Sequence, residues 1–159
     1  TGIQANDLIG RKMQRDNGAA ALAVLKDMKA IEAELAAAAL DHPLLESIHT
    51  SVSRATKTME TAGRWLLEHS RQNPIAAAAA AVNLLHVFAI AIAGTLLAKS
   101  ALIATRQIAA GEGNAQFLKE KIAVARFFAG QIMPETGARM AAVLDAGDGA
   151  LQLYPGALA

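Results

Sequence analysis

From Gln72 through Ala98 the chain carries no Asp, Glu, Lys or Arg, and no other feature limits its fold so strongly. A helix with that character either crosses a bilayer or is wrapped by other helices. Its content favours wrapping. Ala76 to Ala81 are only weakly apolar, and Asn83, His86, Gly94 and Thr95 interrupt the rest, whereas insertion into lipid favours Leu, Ile, Phe and Val. We therefore expect a central helix from about Pro74 to Ala110 that is enclosed on most sides, and no membrane span. Lys99 and Arg106 mark its return to solvent, and Gly111-Glu112-Gly113 supplies its stop.

The flanking segments supply the wrapping. Leu45, Ile48, Val52, Ala55, Met59, Ala62 and Leu66 recur at alternating three- and four-residue steps, predicting a helix from about Pro43 to Arg71 with one apolar seam. Pro43 fits its first turn, Asp41 is the expected cap, and Asn73-Pro74 caps the following helix. Leu22, Leu25, Met28, Ile31 and Leu35 predict a helix from about Ala19 to Leu40. Asp16-Asn17-Gly18 reads as the turn before it, and Ile3 to about Gln14 as a short helix with Leu8 and Ile9 as its contacts.

A last helix is expected from near Asn114 to about Ala146. Pro134 lies inside it, where it removes one backbone bond and crowds the carbonyl of Gly130, predicting a kink. The architecture is thus all-α: an up-down four-helix bundle over residues 19–147 preceded by a short N-terminal helix, with residues 148–159 an irregular tail. Its core must be aliphatic, because 53% of residues are hydrophobic but only 4% are aromatic.

Little in the chain announces chemistry. A formal charge of +1, with both signs interspersed, argues against nucleic acid as a partner. The absence of cysteine excludes disulfides, thiolate catalysis and cysteine-based zinc sites, and is compatible with a cytoplasmic location. His42, His49, His69 and His86 have no metal-ligand spacing among themselves. Glu46 and His49 give one Glu-x-x-His match, where a di-iron bundle needs two plus further carboxylates. His86 is expected as a hydrogen-bonded core histidine and the other three at the surface. Ser47, Thr50, Ser51 and Ser53 lack a base to activate them, and Gly111-Glu112-Gly113 lacks the strand and Lys of a phosphate loop. Trp65 reads as a bundle-edge packing residue, while Tyr154 is the other candidate ligand contact. One ring of Phe127-Phe128, or Phe88, is expected to face a neighbouring domain.

Two segments carry a resemblance. Lys119 to Val143, reading KEKIAVARFFAGQIMPETGARMAAV, resembles the closing helix of a C-terminal domain found in one branch of the flavin-dependent acyl-CoA dehydrogenases. Thr1 to Lys12, TGIQANDLIGRK, resembles the segment that in this branch follows the Tyr-Glu-Gly-Thr motif bearing the catalytic glutamate. The branch includes dehydrogenases of the 3-methylmercaptopropionyl-CoA type.

The resemblance implies that residues 1–15 are the end of the catalytic region and that the base lies just upstream of Thr1, so no catalytic residue is expected in the chain. Thr1, Gly2 and Gln4 are the positions expected to inherit contacts to the nucleotide portion of FAD, Gly2 through its backbone. The implied reaction is α,β-dehydrogenation of an acyl-CoA: a glutamate takes the α-proton, flavin accepts the β-hydride, and electron-transfer flavoprotein reoxidises it. The bundle is expected to play a structural, assembly or substrate-shaping part in a homodimer, and the chain alone to be inactive and free of cofactor. The alternative is a self-contained helical interaction module unrelated to flavin chemistry.

Overall fold

Residues 2–146 are described by a computed structural model, which contains helices and turns and no strand among those residues. The helices are α1 (Gly2–Asp7), α2 (Ala19–Ala39), α3 (Pro43–Gln72), α4 (Pro74–Ala109), α5 (Ala115–Phe127) and α6 (Glu135–Asp145). Connections are short: α3 and α4 are separated by Asn73 alone, whose side-chain oxygen accepts a hydrogen bond from the amide of Ala76 at 3.1 Å. That bond satisfies one of the amides a helix start leaves open, and Pro74 lacks another. Asn114 caps α5 in the same way through the amide of Phe117. The cap expected from Asp41 does not form; His42 occupies that position without a side-chain bond, leaving Pro43 to start α3.

The pairing of the helices follows from bonds between them. Lys29 meets Glu60 at 2.9 Å and Asn17 meets Arg71 at 3.4 Å, so α2 and α3 run antiparallel. Arg106, near the end of α4, reaches Glu34, near the end of α2, at 3.0 Å, so these two run parallel. Asn83 accepts from Arg139 at 3.3 Å and Gly94 lies against Met133, which sets α5 and α6 antiparallel to α4. The result is an up-down bundle in which α5 and α6 together form the fourth rod. Ala5 and Ile9 are buried in the same core, so the N-terminal segment is part of the packed body.

Two single π turns shape the ends. Leu8–Lys12 follows α1 and Phe128–Ile132 links α5 to α6. Their signature is a bond five residues back, from the Met13 amide to the Leu8 carbonyl at 2.8 Å and from the Met133 amide to the Phe128 carbonyl at 3.0 Å. The second turn is how the helix accommodates Pro134: widening the backbone by one residue removes the crowding at Gly130 that a regular helix would impose. Gly18 starts α2 at φ 80° and Asn17 precedes it at φ 53°, both left-handed, which is the turn expected at this point.

Burial matches the α3 seam completely; every member from Leu45 to Leu66 is in the core. It corrects two expectations. In α2 only Met28, Ile31 and Leu35 of the stripe are buried, while Leu22 is 59% exposed. In α4, 44% of the most apolar 18-residue window is buried, so one face of this helix is open rather than enclosed. Among the described helices it is the one long and apolar enough to cross a bilayer by length and composition. The tail 148–159 and Tyr154 lie outside the described residues.

Candidate functional site

The expected cofactor contacts start at the first turn of α1. Gly2 and Gln4 are both exposed there, and a Cβ on Gly2 would meet nothing within 4 Å, so backbone and amide side chain are reachable from outside. Thr1 lies outside the described residues. Behind them Asp7 is held by Arg11 at 2.6 and 3.0 Å and by Lys12 at 3.3 Å. The hydrogen bond from Arg11 holds the Asp7 carboxyl below its ordinary value. This cluster is spread on the surface and presents no base to a substrate.

The histidines do not gather. His42 is exposed; His49 is half-buried and Glu46 exposed, and His49 lines a hollow together with Glu32 of α2 and Glu60 of α3. Among the described residues no three His, Asp or Glu side chains come close enough to hold a metal ion. His69, expected at the surface, is half-buried: its ring stacks on Trp65 with centroids 4.1 Å apart, and its Nδ1 lies 2.9 Å from the Trp65 carbonyl. Trp65 itself is buried. His86, expected in the core, is half-exposed on the open side of α4. Its sequence neighbours Leu84, Val87 and Phe88 are buried, while Val82 and Ala89, one turn away on its own face, are exposed.

Three hollows border α2 and α3. Two are apolar, of about 310 and 230 Å3, and share Met13, Ala21, Met59 and Phe88. They explain the exposure of Leu22: the first half of α2 stands off the bundle, and small residues such as Ala21 and Gly63 do not fill the gap. The third, about 370 Å3, mixes charged and apolar lining: Lys29, Glu32, His49, Thr56 and Glu60 with Ala33 and Ala36. Thr56 is buried at its edge with its hydroxyl unpaired. In the third hollow the Thr56 hydroxyl makes no hydrogen bond to His49 or to the carboxylates that line it. Phe127, 64% exposed, is the outward ring of the Phe pair, whereas Phe88 is buried.

A protein-family model described as acetyl-CoA dehydrogenase C-terminal-like matches residues 12–154. The chain belongs to that family. The C-terminal-like domain is 35% identical over 151 residues, 95% of its length, to a 3-methylmercaptopropionyl-CoA dehydrogenase from Ruegeria pomeroyi. That stretch is 25% of the dehydrogenase, so the domain spans about a quarter of the relative's length. The resemblance read from the two ends thus extends across nearly the whole chain, and the unrelated interaction module is not favoured. The domain's described residues carry open apolar positions, with Leu22, Ile75, Leu96 and Phe127 each more than half exposed.

Proposed function

We propose that this chain is the packing and assembly domain at the C-terminal end of a FAD-dependent acyl-CoA dehydrogenase. The observation that carries the reading is the 35% identity over 95% of the chain to an enzyme four times as long. In this reading residues 1–15 close the catalytic region and 19–147 form the appended bundle. The glutamate that removes the α-proton of an acyl-CoA lies upstream of Thr1. The longer enzyme is a cytoplasmic homodimer reoxidised by electron-transfer flavoprotein, and the isolated chain is inactive.

The residues present fit a peripheral contact to FAD. Gln4 offers one amide side chain and Gly2 an unobstructed backbone, which with Thr1 suffice for hydrogen bonds to the nucleotide portion. FAD, bound in the longer enzyme, supplies the hydride acceptor. The chain's own residues do something else: Ala5 and Ile9 lock the end of the catalytic region onto α4, so the bundle holds that segment in place. The upstream reading frame tests this. A Tyr-Glu-Gly-Thr motif directly before Thr1 supports the reading, and a start codon there contradicts it.

A further inference from the structure

The open face of α4 is one continuous apolar strip. Ile75, Val82, Ala89, Leu96 and Ile103 stand seven residues apart and are all exposed, Leu96 by 58%. At 1.5 Å per residue they span about 42 Å. A row of aliphatic side chains of that length marks a surface that something other than water covers. The N-terminal segment runs beside it. Ile9 and Gly10 border a hollow with Ala77 and Ala78, and Leu8 and Lys12 border another with Leu85 and Ala89. Ala89 thus belongs both to the strip and to the edge where the N-terminal segment lies against α4.

We infer that the strip is the seat of the polypeptide upstream of Thr1, folded back in cis onto α4. This rests on the proposed function, in which the chain is one end of a longer protein; the dehydrogenase it matches is four times as long. The path of the chain favours that occupant. Upstream polypeptide joins the bundle through α1, which packs on α4 and whose Ala5 is fully buried, so it arrives already held at the strip's edge. Ile3, 86% exposed, adds a further bare apolar side chain at that junction.

Area separates this occupant from a second molecule. A strip about 10 Å wide along α4 buries on the order of 800 Å2 in total, counting both sides. Separate molecules need about 1,200 Å2 or more, because association costs translational and rotational freedom. Domains of one chain hold together across about 600–1,500 Å2, because the linkage supplies an effective concentration in the millimolar range. The strip suffices for the second case and falls short of the first. Charge disfavours a lipid surface: helices that lie on membranes line their polar side with Lys and Arg, and α4 has neither from Gln72 to Ala98. The same stretch offers no ionic partner, so the surface that matches it upstream is apolar and uncharged.

The test uses the longer polypeptide from the same reading frame, freed of other cysteines; the 159 residues here contribute none. Val82→Cys and Leu96→Cys should each react with a maleimide about 100-fold more slowly in the folded protein than in denaturant, at every protein concentration. Glu112→Cys, in the exposed turn after α4, should react within about ten-fold of its denatured rate. Adding Leu96→Glu should bring Val82→Cys to the Glu112→Cys rate with helical circular dichroism unchanged, because a lone carboxylate does not tolerate an uncharged interface. Fast labelling at positions 82 and 96 in the parent background would overturn the inference, since the strip would then be bare or left to lipid or another protein. Protection that fades on dilution would overturn it too, because the cover would be a second molecule. Protection at Val82→Cys that survives Leu96→Glu would show a cover not held by the strip, and contradicts it equally. Flavin content of the same samples keeps the two readings apart. A yellow protein with fast-labelling cysteines removes this inference and leaves the flavoenzyme reading standing, and a colourless one with protected cysteines does the reverse.

Discussion

Gly94 of α4 packs against Met133, at the end of the second π turn: a Cβ placed on Gly94 would lie 2.5 Å from the Met133 sulfur and 2.8 Å from its Cγ. Both residues are buried, so the thioether has little room to move away. Overpacking of this kind costs about 1–3 kcal/mol, against a helix-propensity gain of about 1 kcal/mol for Gly to Ala. Gly94→Ala should therefore lower stability in chemical denaturation. In a Met133→Ala background the same change should raise it, because the obstructing atoms are gone. Equal effects in both backgrounds would show that the two residues are not coupled.

The helix caps make a second, contrasting pair. Asn73→Ala removes the bond to the Ala76 amide and should cost about 1 kcal/mol, whereas Asp41→Ala removes no cap and should change stability by less than about 0.5 kcal/mol. Thermal unfolding of the two variants side by side separates them.

Thr56 offers a stabilising change. Its hydroxyl is buried without a partner, and a buried unpaired polar group costs about 1–3 kcal/mol. Thr56→Val keeps the shape, removes the polar atom and should stabilise the domain by about 1 kcal/mol. A loss of stability would mean that the hydroxyl is satisfied in solution, for instance by water in the third hollow beside it.

The Lys29–Glu60 bridge ties α2 to α3 and should be felt only above the acid range. The hydrogen bond from Lys29, then its charge, holds Glu60 below the ordinary glutamate value of 4.5. A carboxylate with a lowered folded-state value stabilises the fold at pH above the unfolded value and ceases to as pH falls through the folded one. The stability difference between the native chain and Glu60→Gln should thus narrow as pH drops below about 4 and should also shrink with added salt, since both groups are solvent-accessible.

Much of this fold is legible in the sequence because α3 has neighbours all along its seam: where a stripe is fully covered, periodicity and burial coincide, as they do from Leu45 to Leu66. Periodicity reports which residues avoid water and says nothing of whether the covering element is present. That is why Leu22 and the α4 stripe from Ile75 to Ile103 read as interior yet are exposed. His86 is misread for the same reason. The π turns are half legible. Pro134 signals that the last helix must deform, but Leu8–Lys12 carries no proline, and its extra backbone residue leaves no mark in an apolar pattern. The proposed cofactor contacts at Thr1, Gly2 and Gln4 rest on resemblance alone, since three small or neutral residues have no chemical signature of their own.

The central claim is that this bundle is the non-catalytic end of a flavoenzyme, and flavin absorbance with acyl-CoA turnover tests it most directly. The 159-residue chain and the longer polypeptide from the same reading frame should be purified in parallel and assayed with an artificial electron acceptor. The longer protein should be yellow and reduce the acceptor with an acyl-CoA, and the short chain should be colourless and inert. Stoichiometric flavin on the short chain, or a longer protein that neither binds flavin nor oxidises any acyl-CoA, would contradict the account.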